Sequence, residues 1–440
     1  MNRLPSLTLL LLFIALAAGA ESLTFPAVKD LPDQTNLPDV MTFADGKPVT
    51  SLWQWRKRRE EMKEILEHYE LGHAPPPPGN VTGQDLQEHP VLGGAADFRL
   101  VHLTFGPERA LGLDIAIFTP TNAGPFPTII NPSFFMTPGV NFTVPADATN
   151  GTAATTNGSA GLVTSGAGPS TNGTGRPRFN FNAPVDPERA ARGFTNQLNR
   201  GYAIVTYRYT QCGEDNPNFR TNSFYPAYPN YDWGVLMGWA WGLSRIVDYL
   251  ESEKFPEKTQ IIVLGHSRLG KLTMVATAFD ERISLGAPAG SSGAGTGAYR
   301  FCGPGRGGKE GIEDMTRKYG YYFVPELKEF TGQMNKLPFD AHWYIALTAP
   351  RPWISIEGTE DQNCVPDAVR HSIEAARPVY TFLNVSTNRV GVNYEPHRHM
   401  LTPGDWNAAL DFADQQLRGI DHHRTFDQFP SDQTNSVPNQ

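Results

Sequence analysis

The chain has 440 residues, 40% of them hydrophobic, and a formal net charge of −8 at pH 7. The negative charge argues against nucleic acid or an anionic membrane as a partner, because both are themselves negatively charged. The length and the apolar content are sufficient for one large, decorated α/β domain. We expect a monomer.

Residues 1–20 have the pattern of a secretory signal peptide. A basic residue, Arg3, precedes an apolar run over residues 7–18, and small residues lead up to Glu21. The run is shorter than the roughly 20 apolar residues that span a bilayer, so a membrane anchor is the weaker alternative. We predict export to the extracellular space or the periplasm, with the mature chain beginning near Glu21.

The remaining chain alternates between strand-like and helix-like segments. Strands are predicted over residues 98–105, 112–118, 127–130, 203–207, 260–264, 283–285, 353–357 and 379–383. Helices are predicted over residues 52–70, 232–250, 272–279, 367–375 and 405–417. This alternation is typical of a three-layer α/β/α sandwich with a mostly parallel central sheet, here one domain over residues 21–425.

Two segments have compositions that do not favour a packed core. Residues 137–184 consist largely of Gly, Ala, Thr, Asn and Ser, which bury too little apolar surface to fold alone, so we predict a long surface insertion there. Its Asn-x-Ser/Thr sites would carry glycans only in a host that glycosylates. Residues 426–440 are predicted to form a flexible tail.

The three cysteines, Cys212, Cys302 and Cys364, lack the spacing of a zinc site. In an exported protein an odd count indicates one disulfide and one remaining thiol. Because Cys302 and Cys364 fall in loops that we place near the active site, we predict that these two form the disulfide.

The most informative motif is Gly-His-Ser-Arg-Leu-Gly-Lys over residues 265–271, where an apolar strand runs through a tight turn into a helix. A serine in such a turn is exposed above the edge of the sheet, and the helix start offers backbone N–H groups to a developing oxyanion. Ser267 is therefore a candidate nucleophile. The usual elbow pattern is G-x-S-x-G, and here Leu269 occupies the last glycine position.

The same segment also satisfies the phosphate-binding pattern G-x-x-x-x-G-K. That motif requires a Ser or Thr after the lysine to bind Mg²⁺, and this chain has Leu272. An exported protein also meets little ATP, so the nucleophile elbow is the favoured interpretation. A purely structural serine in a turn is the third possibility.

An α/β hydrolase carries its acid after a late strand and its histidine before the last helix. Asp361 lies just beyond the predicted strand 353–357, with Glu360 as the alternative acid. His397 and His399 precede the final helix, and a metal site at this pair would lack a third ligand with suitable spacing. One imidazole is needed to take the serine proton while a carboxylate orients it.

These motifs resemble the glucuronoyl esterases of carbohydrate esterase family fifteen. Residues 265–271 match the family signature G-[C/H]-S-R-x-G-K, and the similarity extends to residues 43–50, 68–73, 239–242, 337–342, 349–352 and 399–402. The resemblance implies an α/β-hydrolase fold. It also implies cofactor-free and metal-free hydrolysis of esters between 4-O-methyl-glucuronic acid of xylan and lignin alcohols.

The resemblance also suggests residue roles. It implies that Ser267 is the nucleophile, that His399 rather than His397 is the base, and that Arg268 stabilises the oxyanion through its side chain and N–H. Lys271 is implied to contact sugar hydroxyls; the alternative is a solvated helix residue.

The chain departs from the family pattern at three places. Residues 288–293, Pro-Ala-Gly-Ser-Ser-Gly, lack the glutamate that many members use as the acid, so the resemblance leaves Asp361 as the acid. Asn363 stands where the family tends to place a sugar-contacting Trp, and His266 stands where fungal members have Cys. Two alternatives follow: an esterase for acetyl or other esters of plant polysaccharide, and a non-catalytic carbohydrate-binding relative.

Overall fold

The computed structural model describes residues 25–122, 124–140, 170–171, 177–178, 180–253, 260–303, 305, 308–363 and 365–430. The predicted signal peptide and most of the predicted insertion lie outside these residues. The strands are β1 (Thr82–Val91), β2 (Ala96–Phe105), β3 (Leu111–Pro120), β4 (Thr128–Ser133), β5 (Ser170–Thr171), β6 (Pro177–Arg178), β7 (Ala203–Arg208), β8 (Ile261–His266), β9 (Ile283–Ala289), β10 (Trp353–Gly358) and β11 (Val390–Glu395).

Nine of these strands form one mixed sheet in the order β1-β2-β3-β7-β4-β8-β9-β10-β11, and β5 and β6 pair separately. Pairings from β1 to β7 are antiparallel, whereas those from β7 through β4 to β11 are parallel. Parallel neighbours require crossover connections, which helices provide here. The first five residues of β8 are buried, as expected for a strand covered on both faces.

Helices cover both faces of the sheet. They are α1 (Leu52–Leu66), α2 (Pro187–Gly193), α3 (Thr195–Asn199), α4 (Val235–Ser252), α5 (Arg268–Phe279), α6 (Ile312–Lys318), α7 (Glu326–Glu329), α8 (His342–Thr348), α9 (Pro366–Phe382) and α10 (Pro403–Ala413). Residues of α1, α4, α5, α8 and α9 pack in one apolar cluster, and those of α2, α3 and α10 in another. The predicted three-layer sandwich is confirmed.

The predicted strand over residues 379–383 is wrong. These residues lie in and just after α9, where Ile373, Ala376, Val379 and Tyr380 are buried at helical spacing. The β-branched and aromatic residues of this segment suggested a strand, but packing against the core selected the helix. The last strand of the sheet is instead β11, which pairs with β10.

Strand β1 was also missed by the sequence analysis. Seven of its first nine residues are exposed, so it lacks the apolar alternation that marks a half-buried strand. It is held by its pairing with β2 along the edge of the sheet.

The boundaries of the two low-complexity segments also need correction. Thr137, at the predicted start of the insertion, is buried, and its hydroxyl donates to the Asp114 carbonyl. The predicted tail begins at residue 426, but Phe426 and Phe429 are buried, and Phe426 packs against Phe412. Two large apolar side chains thus anchor residues 426–430 to the domain, because burying each removes apolar surface from water.

None of the helices in the described part of the chain is both long and apolar enough to traverse a bilayer.

Candidate active site

Ser267 sits at a sharp turn between β8 and α5. Its backbone has φ 62° and ψ −125°, a conformation that non-glycine residues rarely adopt. The Ser267 N–H donates to the Ala289 carbonyl at 2.8 Å, which ties the turn to the neighbouring strand β9. A Cβ added to Gly265 would come within 2.3 Å of the Leu269 carbonyl oxygen, so this position requires glycine. The strained turn is therefore held by its hydrogen bond to β9 and by the close packing of Gly265 against α5.

The departure from the usual elbow pattern has a structural reason. Leu269 is buried in the core, whereas Gly270 lies close to β9. A Cβ at Gly270 would meet the Ala289 carbonyl oxygen and the Ser291 side chain at 2.9 Å. The close approach of helix to strand thus occurs one residue later than in the usual motif.

The structure brings Ser267, His399 and Asp361 together from three distant parts of the chain. The Ser267 Oγ lies 2.8 Å from His399 Nε2, and His399 Nδ1 lies 2.6 Å from Asp361 Oδ2. With its proton on Nδ1, His399 donates to the carboxylate and accepts from the serine hydroxyl. This is the arrangement in which an imidazole can take the serine proton.

The environment of Asp361 keeps it ionised. Burial by itself raises the pKa of this carboxyl group, but hydrogen bonds from His399 and from the Asn363 N–H outweigh burial and hold the pKa below its ordinary value. Glu360, the alternative acid, is exposed. Of the two neighbouring carboxylates, the one that contacts His399 is Asp361.

His397 has a different environment from His399. Its Nε2 lies 3.1 Å from Asp405 Oδ1 and its Nδ1 lies 2.7 Å from the Arg398 carbonyl oxygen. Asp405 also caps α10 through reciprocal hydrogen bonds with Thr402. His397 therefore connects the loop that carries His399 to the start of α10.

Arg268, the predicted oxyanion residue, is held by an acidic residue that the sequence analysis did not identify. Its Nη1 pairs with Asp215 Oδ2, and the hydroxyl of Tyr209 donates to the same oxygen at 2.5 Å. The other oxygen, Oδ1, accepts from Tyr321 at 2.8 Å and Tyr322 at 3.1 Å. A carboxylate with this many donors is a rigid anchor for a guanidinium group. Asp215 lies 53 residues before Arg268, so no local pattern pointed to it.

Lys271, predicted to contact sugar hydroxyls, is 97% buried, since its exposed fraction is 3%. Its Nζ donates to the carbonyls of Ser291 and Gly293 and to Glu310 Oε2 at 2.9 Å. These contacts use the three donors of the ammonium group. The described contacts therefore assign Lys271 to holding the loop after β9, and its contact with a sugar stays a prediction.

His266 packs against the catalytic candidate His399, with ring centroids 4.6 Å apart. Burial is the main cause that lowers the pKa of His266 to about 3, so the ring is neutral at physiological pH. Its buried Nε2 makes no hydrogen bond with the described residues. A Cβ added to Gly290, which has φ 49°, would lie 3.1 Å from this nitrogen.

Two expectations about ligands and cysteines concern residues around this site. Within the described ranges, no group of three or more His, Cys, Asp or Glu side chains could hold a metal ion.

Cys302 is buried, but Cys364 lies outside the described residues, so the disulfide between them stays a prediction. Cys212 is also buried, and burial raises the pKa of its thiol.

Comparisons with known proteins all point to one family. A sequence model described as "Glucuronyl esterase, fungi" matches residues 182–384. A carbohydrate esterase from an unknown prokaryotic organism is 29% identical, with 87% of this chain and 90% of that protein covered. A 4-O-methyl-glucuronoyl methylesterase from Phanerochaete carnosa is 27% identical, covering 88% and 82% respectively.

A solved structure is similar over nearly the whole domain. It is a carbohydrate esterase family 15 glucuronoyl esterase from Caldicellulosiruptor kristjansonii, with a TM-score of 0.66 and 28% identity. The similarity covers 91% of this chain and 95% of that one. The architecture described above is thus the α/β-hydrolase fold of these esterases.

Proposed function

Since the chain belongs to the glucuronoyl esterase family, carbohydrate esterase family 15, we propose that it is an exported serine esterase that hydrolyses esters of 4-O-methyl-glucuronic acid on xylan with lignin alcohols. The observation that carries the proposal is the hydrogen-bonded chain from Ser267 through His399 to Asp361, with both contacts shorter than 3 Å. The family assignment supports a carboxylic ester hydrolase. The geometry supports a serine nucleophile.

In the acylation step, the Ser267 Oγ attacks the ester carbonyl carbon while His399 Nε2 takes the hydroxyl proton. The carbonyl π electrons move onto oxygen and form a tetrahedral oxyanion. When this intermediate collapses, the bond between carbon and the alcohol oxygen breaks, and His399 returns the proton to the departing alcohol. Asp361 stays ionised and stabilises the imidazolium.

In the deacylation step, water attacks the acyl-serine carbonyl and gives its proton to His399. The Ser267 Oγ leaves, recovers that proton, and the uronic acid is released. The same histidine therefore serves as base and acid in both halves, which is why its second nitrogen must be held by a carboxylate.

Stabilisation of the oxyanion falls to the beginning of α5 and to Arg268. The first N–H groups of a helix have no partner within the helix and point outward with the positive end of its dipole. Arg268 is the first residue of α5 and directly follows Ser267 in the chain, so its backbone N–H belongs to the turn that carries the nucleophile, while its guanidinium pairs with Asp215. Asp215 restrains the guanidinium, so little reorganisation is needed as negative charge develops.

The proposal that the protein is exported rests on the predicted signal peptide. The proposed substrate rests on the chemistry of the relatives. The curated relatives named above include a 4-O-methyl-glucuronoyl methylesterase and a broader carbohydrate esterase. Asn363, which donates its N–H to Asp361, replaces a family Trp, so a wider range of carbohydrate esters is the alternative.

The test is hydrolysis of benzyl glucuronate and methyl glucuronate beside acetylated xylan, with the native chain and with Ser267→Ala. We expect turnover of the glucuronate esters that is lost in Ser267→Ala. If only acetate is released, and only when Ser267 is present, the chain is still a serine esterase, but its substrate is an acetyl ester and not a glucuronate ester. Failure to cleave any of the three, together with no labelling of Ser267 by a fluorophosphonate, would support a non-catalytic relative.

A further inference from the structure

The imidazole of His399 is hydrogen-bonded at both nitrogens, but these bonds alone do not fix the plane of its ring. Nδ1 contacts Asp361 Oδ2 at 2.6 Å and Nε2 contacts the Ser267 Oγ at 2.8 Å. The line between the two nitrogens runs through the ring, so the bonds restrain rotation about that line only weakly. His399 lies in the segment between β11 and α10, and 30% of its side chain is exposed. A contact on the face of the ring is therefore needed to fix its tilt.

His266 makes a contact of this kind. Its ring centroid lies 4.6 Å from that of His399, and the two ring planes are inclined at 44°. Aromatic rings at this separation attract each other beyond the effect of the area they bury. The His266 ring therefore restrains the ring that carries the proton during catalysis.

The backbone that carries His266 is itself firmly held. His266 is the last residue of β8 and pairs with Ala289 of β9. The next residue after β9, Gly290, donates its N–H to the Ile356 carbonyl of β10 at 2.8 Å. A Cβ at Gly290 would lie 3.1 Å from His266 Nε2, so this backbone lies directly against the ring. Three neighbouring strands of the sheet thus determine where the His266 ring lies.

The His266 ring stays neutral while His399 becomes charged. Burial, and after it the nearby His399, lower the pKa of His266 to about 3. Of the two rings, His399 is the one that contacts the Asp361 carboxylate, so the proton taken from Ser267 stays on His399. A neutral neighbour adds no charge repulsion to the imidazolium that forms in each half of the reaction.

The flat ring of His266, rather than its hydrogen bonding, is the property that the site uses. Its Nε2 is buried and has no hydrogen-bond partner among the described residues, so replacing this nitrogen by carbon breaks no bond there. Removing the whole ring loses the packing. His266 also lines a cavity of about 730 Å³, so loss of its ring would add open space beside His399 and let that ring tilt.

We infer that His266 is a positioning residue for the reaction: its ring, held by the strands β8, β9 and β10, fixes the plane of His399 so that Nε2 stays directed at Ser267. The inference rests on the proposed serine esterase function, but it does not depend on which ester the enzyme prefers.

The experiment compares His266→Ala, which removes the ring, with His266→Phe, which keeps a flat and neutral ring. Both are measured on benzyl glucuronate, or on p-nitrophenyl acetate if the glucuronate ester is not cleaved. We expect kcat to fall about 10- to 100-fold in His266→Ala, with little change in KM, because small misplacements of a reacting group are costly. His266→Phe should stay within about threefold of the native kcat, because the face contact is restored.

The matched control is His68→Ala. His68 also stacks on an aromatic ring, that of Phe25, with centroids 4.2 Å apart, and burial also lowers its pKa. This histidine follows α1 and has no part in the reaction described above, so kcat should keep its native value.

A second measurement separates positioning from general support of the fold. In a His399→Ala background no imidazole remains to be positioned, so adding His266→Ala should leave the residual rate unchanged. That residual rate comes from oxyanion stabilisation and substrate binding, and it is measured on p-nitrophenyl acetate at high enzyme concentration. A residue that only supports the fold would lower the rate by the same factor in both backgrounds.

Thermal unfolding shows whether each variant has folded. If His266→Ala has not, His266→Leu takes its place, since it fills the space without a flat face. A native kcat in the variant without the ring, an equally large loss in His266→Phe, or the same loss in the His399→Ala background would overturn the inference and leave the esterase function intact. If the native chain cleaves neither ester and a fluorophosphonate does not label Ser267, the proposed function is refuted, and the inference with it.

Discussion

Replacement of Asp361 by Asn tests the triad at the point where the structure is most specific. Asp361 uses both carboxylate oxygens: Oδ1 accepts from the Asn363 N–H at 2.9 Å, and Oδ2 accepts from His399 Nδ1. An asparagine has one accepting oxygen and one donating NH₂ group. If its oxygen keeps the bond from Asn363, the NH₂ group faces His399 and forces the imidazole into the tautomer with its proton on Nε2.

In that tautomer His399 cannot accept the proton of Ser267, so the general base is lost. The opposite orientation would point the NH₂ group at the Asn363 N–H, which places two donors together at a buried site. Loss of the correct tautomer in serine hydrolases lowers kcat by about 10⁴-fold, equivalent to about 5.4 kcal/mol of transition-state stabilisation. We expect a fall of this order in Asp361→Asn.

The assay measures kcat and KM on benzyl glucuronate at constant pH, with thermal unfolding as a check on folding. KM should change little, because the exchange alters proton transfer and not the binding surface. Glu360→Gln is the matched control, since it neutralises the adjacent, exposed carboxylate and should retain full activity. A fall of less than tenfold in Asp361→Asn, or an equal loss in Glu360→Gln, would show that the tautomer argument is wrong.

Three further predictions concern the supports of the site and the core. Asp215→Asn removes the charged anchor of Arg268 and turns an NH₂ group toward donors, so we expect kcat to fall about 10- to 100-fold together with a lower melting temperature, measured by steady-state kinetics and calorimetry; an unchanged kcat would contradict the anchoring role. Gly290→Ala places a methyl group against His266 at a position with φ 49°, so we expect about 1 kcal/mol or more of lost unfolding free energy and a lower kcat; a variant that matches the native protein in both would contradict the packing. Glu70 is fully buried and its pKa is raised by burial to about 7 from 4.5. Its folded form therefore binds a proton that the unfolded form releases between these values, and stability falls as pH rises through this window. In Glu70→Gln, the difference in unfolding free energy between pH 5 and pH 8 should shrink by up to about 3 kcal/mol in urea titrations.

Local sequence patterns were sufficient for most of the parallel half of the sheet. Strands such as β8 are continuous apolar runs bounded by polar residues, and buried strands of parallel sheets have that composition because both faces are covered. The antiparallel edge strand β1 was missed because its exposed residues carry no such signal. The segment around Val379 was assigned to the wrong element because a short apolar run fits a strand and a buried helix equally well.

Some features of the candidate site could likewise be predicted from the sequence, and others could not. The motif around Ser267 and the chain order of the candidate acid and base could be read from the sequence, because a strand, a tight turn and a helix are determined by neighbouring residues. The choice between Asp361 and Glu360 is different: these residues are adjacent in the chain, yet one is buried against His399 and the other is exposed.

By itself, the sequence determined the fold class, the position of the strand, turn and helix around Ser267, and the resemblance to the glucuronoyl esterases. Only the tertiary structure decided that Asp215 anchors Arg268, that the Lys271 ammonium is enclosed, and that a cavity opens beside His266 and Met400. The physical reason is the separation along the chain over which each kind of interaction acts. Periodicity and turn chemistry report the surroundings of a residue along the chain, whereas these contacts join segments tens to hundreds of residues apart, and their partners are set by how the sheet and its helices pack.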